Sequence, residues 1–518
     1  MSDEHAPARP AHPVLPGFHP DPSVCRVGED YYLACSSFEY FPGVPLFHSR
    51  DLVHWTQIGS ALDRPGQLRL PPDTPSSGGL YAPTLRHHDG RFWLAVTNVT
   101  PGEGNLLLTA TDPAGPWSDP VRLPGVPGID PDLAWDEDGT CWCTVAGVSQ
   151  VRIDPATGRA LGEPRPVWSG TPGASAPEAP HLYRIGGHWY LMIAEGGTER
   201  GHGVSIARGP APGGPFEPCP ANPILTHRGT GHPVQNTGHA DLVQAPDGSW
   251  WMVLLGVRPR GGTPGWHVLG RETFLAPVTW EDGWPVVGEL GPEPTGLPWP
   301  LHPVPAPAVR DDFDAPELAP AWLSLRDRPS GHVTTAERPG WLTLRARGGS
   351  LDDLDAVLLG RRQQHHSFRA RTLLDPAEGS GGLAVRLDDR HHYAVEATAG
   401  GTVRVIARVG SLRTVAAELP LAPGPVVLTV RTGEPPLPGD PRTGPDSLVL
   451  GVETTDGTAT ELASLDGRYL STEVAGGFTG RVVCLYAATG TVRFDWFDYA
   501  PASPAGPGVR PEPRGRRS

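Results

Sequence analysis

The stretch DGRFWLAVT (89–97) opens on a Gly-containing turn and runs directly into an aromatic, apolar strand. The same arrangement occurs four more times: GEDYYLACS (28–36), DGTCWCTVA (138–146), GGHWYLMIA (186–194) and DGSWWMVLL (247–255). Asp-Gly and Gly-Gly suit tight hairpin turns, and Tyr, Phe, Trp and Val favour a pleated, half-buried surface. The copies recur at roughly 47 to 62 residues, which leaves room for one four-stranded sheet and its loops. Five such sheets predict a five-bladed β-propeller over residues 13–300. The competing arrangement is a β-sandwich with aromatic hairpins.

Outward from each aromatic strand, a short polar-then-apolar segment lies just upstream: HPDPSV (19–24), YAPTL (81–85), IDPDL (129–133), PEAPHL (177–182) and GHADL (238–242). In a propeller the first strand of every blade lines the central axis, so these strand starts converge on one end of the channel. Asp21, Asp130 and His239 stand three residues before the apolar position, and Glu178 and Tyr81 stand four before it. A lone Asp-Pro is ordinarily a turn former. Three carboxylates at matching strand starts on separate blades exceed what turn chemistry needs, and they would become neighbours.

Composition excludes several functions. The chain has 518 residues, a formal charge of −15 and no lysine; all 42 cations are arginine. Schiff-base chemistry, a pyridoxal-phosphate lysine and a P-loop lysine are absent. The acid excess disfavours nucleic acid or an anionic membrane as partner. Gly (66) and Pro (63) form about a quarter of the chain; interleaved with aromatics, they read as many short strands and turns. The six cysteines (25, 35, 141, 143, 219 and 484) read as buried thiols. No run reaches membrane length and residues 1–12 have no apolar signal core, so a soluble, cytoplasmic protein is expected, with a homo-oligomer left open.

These blocks resemble glycoside hydrolase family 43, the β-xylosidase and α-L-arabinofuranosidase group: residues 13–55, GIDPDLAWDEDG (128–139), EAPHLYRIGGHWYLMIAEGGT (178–198), GHADLVQAPDGSWWMV (238–253) and LGRETFLAPVTWEDGWPVV (269–287). DDFD (311–314) and GRYLSTEVAGGFTG (467–480) resemble that group's appended concanavalin A-like β-sandwich, or jelly roll. The resemblance implies Asp21 as general base, Glu178 as general acid, and Asp130 as the residue that orients the acid and tunes its pKa. It implies Arg271 as a substrate and carboxylate partner, and Phe38, Tyr81 and Phe478 as pocket walls. No cofactor is required, but the resemblance allows a divalent cation such as Ca2+ in the central channel at His239. Tyr81 stands where many β-xylosidases carry Trp, which leaves xylose and arabinofuranose both open. For Arg271 a structural salt bridge, and for His239 a metal-free hydrogen bond, are the plainer roles.

The chemistry asks for this set. Hydrolysis with inversion needs a protonated carboxyl on the leaving oxygen and an ionised one activating water on the opposite face. An anionic Asp130 beside Glu178 would raise its pKa, while Arg271 beside Asp21 or Asp130 would favour their ionised forms. A fructan-cleaving propeller would begin with a WMNDPNG-like segment, which is missing, and a non-catalytic sugar binder has no use for a matched acid and base. The expected activity is therefore exo-hydrolysis of short β-1,4-xylo-oligosaccharides, with an α-L-arabinofuranosidase as the alternative.

The Pro-rich run GLPWPLHPVPAPAVR (296–310) reads as a linker, placed at 301–310. Beyond it, alternating runs such as WLTLRA and TVRVIARV predict an antiparallel sandwich over 311–500. That domain either closes the pocket through Phe478 or acts as an independent carbohydrate-binding module. Residues 1–12 and 501–518 are expected to be disordered.

Overall fold

The structure, a computed structural model, describes residues 12–291, 297–328, 330–453 and 457–502. Among these residues it is all-β apart from one short 3-10 turn and a single helical turn near residue 470. Five antiparallel meanders form the propeller. Their innermost strands are Ser23–Val27, Leu80–His88, Asp132–Trp135, Glu178–Ile185 and Gln235–Gln244. The aromatic repeats are the second strands, Asp30–Ala34, Arg91–Asn98, Cys141–Val145, His188–Glu195 and Trp250–Val257. The ring closes where Leu15 bridges Thr273 of the last blade, with Val14 N–H donating to the Thr273 carbonyl at 2.9 Å. All six cysteines are buried free thiols, and Cys141 and Cys143 face the same core between blades. No helix among the described residues is long and apolar enough to cross a membrane.

One polar slot stitches the inner strands together. The residue just before the apolar position is Ser23, Asp132, His181 or Asp241 in four of the blades. Ser23 accepts from Leu85 N–H (2.9 Å), Asp132 from Leu182 N–H (2.9 Å), and Asp241 from Val24 N–H (3.0 Å), each on the next blade round the ring. Arg86 lies between the two acids, donating to Asp132 and Asp241 at 2.8 Å each. Tyr183 adds a 2.5 Å bond to Asp241. Burial of three charges costs much, and this pairing offsets it.

The second domain is a sandwich organised on two long strands, Phe368–Asp388 and Val482–Pro501, which pair along most of their length. Phe313, Trp322, Leu374, Phe494 and Phe497 are among the residues filling its core. Arg310 opens its first strand rather than ending the linker, and Pro501 still pairs with Phe368, one residue into the expected tail. The rest of that tail beyond Ala502, and residues 1–11, lie outside the described residues. Residues 303–309 run exposed and without regular structure, but the chain before them is pinned: Trp299 Nε1 and His302 N–H both donate to Asp51.

The two domains share a core. Phe18 and Tyr40 of the propeller are fully buried against Leu323, Leu358, Val482 and Tyr486 of the sandwich. Tyr40–Phe41 also pairs with Ser324–Leu325 as a two-stranded ribbon. Such an apolar, hydrogen-bonded seam behaves as a permanent interface rather than a tether between independent modules.

Candidate active site

The five strand starts meet as expected. Asp21, Phe38, Tyr81, Asp130, Glu178, His239, Arg271 and Phe478 all line one cavity, together with Ala82, Ile129 and Thr198. Backbone geometry turns the polar side chains inward. Asp21 (φ 57°), Asp130 (φ 55°), Ala179 (φ 51°) and His239 (φ 44°) all adopt the left-handed conformation, rare outside Gly and Asx. Register shifts fall at the same place on three blades, between Leu80 and Pro83, Glu178 and His181, and Gly238 and Asp241.

Asp21 is 4% exposed and fully engaged. Arg271 donates to both its oxygens, at 2.8 and 3.4 Å, Ser36 donates to Oδ2 at 2.5 Å, and His239 Nδ1 lies 3.4 Å from Oδ1. Burial alone would raise its pKa, but Arg271, His239 and Ser36 outweigh it and hold the carboxyl below the ordinary value. Arg271 therefore fills the structural and the site role together. It also donates to Thr198 Oγ1 at 3.0 Å and lies over the rings of Phe38 (5.7 Å) and Phe478 (5.3 Å).

Glu178 is pushed the other way. Burial first, and then Asp21, raise its pKa to about 7, against the opposing pull of Arg271. Asp130 is shifted in the same direction. It is raised well above the ordinary carboxylate range by burial, then by Glu178 and Asp21, with Ala179 N–H (3.2 Å to Oδ2) and Arg271 opposing. The physical reason is that among the described residues no cation pairs with Asp130, whereas Arg271 is committed to Asp21. The like-charge push on Glu178 thus comes from Asp21.

His239 is buried and its pKa is lowered to about 3, by burial first, with Asp21 opposing, so the ring is neutral. No group of three His, Cys, Asp or Glu side chains able to hold a metal occurs among the described residues. One imidazole beside a carboxylate already gripped by Arg271 does not fit a protein-built Ca2+ cage, which takes six to eight oxygens. The neighbouring channel acids Asp132 and Asp241 are occupied by Arg86.

The aromatic walls come from both domains. Phe38 and Phe478 stack at 5.9 Å, and Tyr81 meets each edge-on at 5.8 Å. Phe478 is held by its own N–H donating to Ser77 Oγ on the propeller at 2.9 Å. The cavity they close is about 80 Å3, well below the ~300–1,000 Å3 of sites for larger ligands. Ser36, Thr198 and Ser77 went unnoticed in the sequence, because a serine or threonine in a loop carries no pattern. The Asp132/Asp241 slot, in contrast, recurs one residue before the apolar position and was open to detection.

Known proteins are similar to this chain over both domains. The family model described as glycosyl hydrolases family 43 matches residues 10–285, and the beta xylosidase C-terminal concanavalin A-like domain matches residues 310–500. A non-reducing end alpha-L-arabinofuranosidase of Bacteroides ovatus is 40% identical over 94% of each chain. A beta-xylosidase of Bacillus subtilis is 36% identical over 70% of this chain and 74% of its own. Among solved structures, a xylan beta-1,4-xylosidase from Bacillus halodurans superposes with a TM-score of 0.86 at 32% identity, covering 95% of this chain and all of that one.

Proposed function

Since the chain belongs to glycosyl hydrolase family 43 and is a glycoside hydrolase, we propose that it removes single xylose units from the non-reducing end of short β-1,4-xylo-oligosaccharides, with inversion. The observation that carries this reading is the split between two carboxyls facing one small cavity: Asp21 held ionised by Arg271, Glu178 raised to about 7. Glu178 protonates the glycosidic oxygen as the bond to the anomeric carbon breaks. Asp21 takes a proton from a water that attacks the opposite face, and the proton balance is restored by exchange with solvent. Inverting pairs stand roughly 6.5–9.5 Å apart to leave room for that water. Developing positive charge on the sugar ring is favoured by the carboxylate of Asp21. Asp130, through its contact with the backbone beside Glu178, positions the acid. No step requires a metal ion.

Phe478 and Arg271 line the same small cavity as the acids, which suits a chain terminus and supports exo action. A second reading, removal of terminal α-L-arabinofuranose, is supported by the Bacteroides ovatus relative and by Tyr81 in the pocket wall. Rates on p-nitrophenyl β-D-xylopyranoside and p-nitrophenyl α-L-arabinofuranoside decide between the two; a dominant arabinofuranosidase rate overturns the first. The six free thiols suit a reducing compartment, and we place the protein in the cytoplasm.

A further inference from the structure

A second cavity is larger than the catalytic one. A cleft of about 760 Å3 runs along the domain seam, between the loop joining the first two blades (residues 63–71) and the sandwich segment around residues 326–330. Five arginines line it against two acids, Asp63 and Asp327. Four of the arginines are committed. Arg64 pairs with Asp119 at 2.9 Å, Arg69 with Glu103 at 3.3 Å and Arg347 with Asp327 at 3.1 Å. Arg326 donates to the carbonyls of Thr74 and Leu354.

Arg328 is the exception. Among the described residues it has no carboxylate within ion-pair distance, its Nε is shut off from solvent with no hydrogen-bond partner, and its guanidinium lies 5.9 Å from the centre of the Phe41 ring. Burial draws its pKa below the ordinary range, and Asp63 only partly opposes this. A half-buried guanidinium left without an anion is costly, and its planar fork matches an oxyanion in two-point contact.

We propose that this cleft is an accessory binding site for a small oxyanion, of the size of a sugar acid, with Arg328 gripping its carboxylate or phosphate. The cleft volume lies in the range of small-molecule sites, and the other arginines add positive potential without being freed. The cleft abuts the Tyr40–Phe41 ribbon that joins the domains, only a few residues from the pocket wall Phe38, but it holds none of the catalytic groups.

Calorimetric titration of the full chain with glucuronate, inorganic phosphate and neutral xylose tests the site. Saturable binding of glucuronate or phosphate, about tenfold weaker in Arg328→Gln as expected for one lost charge-assisted contact, supports it; xylose should not compete. Glucuronate alone identifies a sugar acid, and equal binding of phosphate identifies a general oxyanion site. Rates on a small aryl glycoside should be unchanged in Arg328→Gln, which also reports that the variant is folded. Asp63→Asn, which removes the nearest competing carboxylate, should tighten binding. Absence of binding to the natural sequence, or equal binding with Arg328 replaced and with Asp63 replaced, overturns the proposal whatever the hydrolytic activity proves to be.

Discussion

Arg271 donates to both oxygens of Asp21, the closer at 2.8 Å, across 250 residues of sequence. This one ion pair sets Asp21 apart from the other two carboxyls of the site. Asp21 has a guanidinium that favours its ionised form, whereas among the described residues Glu178 and Asp130 have none in ion-pair contact, and burial drives both toward their protonated forms.

Asp21→Ala and Glu178→Ala should each lower kcat on xylobiose by about three powers of ten, within the ~10²–10⁴ of general acid–base catalysis. The two should separate on an aryl glycoside with a good leaving group, where protonation matters less. Glu178→Ala then recovers activity and Asp21→Ala does not. Retention of more than a tenth of the original rate on xylobiose by either variant removes that residue from its role.

The pH profile of kcat/KM should have its alkaline limb near 7, since activity is lost as Glu178 gives up its proton. The same shift affects stability. Glu178 binds its proton more tightly folded (about 7) than unfolded (about 4.5), so its stabilising effect is complete below the unfolded value and is lost as pH rises through about 7. Glu178→Gln should therefore gain in melting temperature over the natural sequence at pH 8, and the gain should shrink toward pH 4. A pH-independent difference would show that burial does not perturb this carboxyl.

Hydrolysis of a β-xyloside should release α-xylose first, visible in early proton NMR spectra before mutarotation. β-Xylose as first product would mean a covalent intermediate and would end the role of Asp21 as a base toward water.

Phe478→Ala should raise KM more than it lowers kcat, because the ring contributes contact present before and during reaction, worth on the order of 1.5–3 kcal/mol. Ser77→Ala, which frees the Phe478 backbone from its 2.9 Å anchor, should move KM in the same direction by less. Removal of residues 311–518 should expose Phe18 and Tyr40 and lead to aggregation. A carbohydrate-binding module would instead leave xylobiose kinetics unchanged and lose affinity for insoluble xylan.

Arg86→Met should destabilise the propeller by about 3–5 kcal/mol, as expected when one partner of a buried ion-pair network is removed. Asp132 and Asp241 would be left uncompensated on the axis. Chemical denaturation measures the loss, and a change below 1 kcal/mol, within the ordinary range for surface positions, would show that the axial network does not hold the blades.

The blade count and the strand starts could be read from the chain because a hairpin turn and its aromatic strand are local. Asp-Gly followed by Phe-Trp or Trp-Trp specifies turn and strand over a few residues, and five repetitions specify the ring. That placed Asp21, Asp130, Glu178 and His239 at one end of a channel. The state of each group was not local. Which carboxyl receives Arg271, which is left to burial, and that Arg86 takes both axial acids depend on side chains brought together from different blades. The anchoring of Phe478 on Ser77, 401 residues away, likewise exists only once the two domains share a core. Charge and proton affinity are set by solvent exclusion and by neighbours a few ångströms away, and only the folded chain decides who those neighbours are.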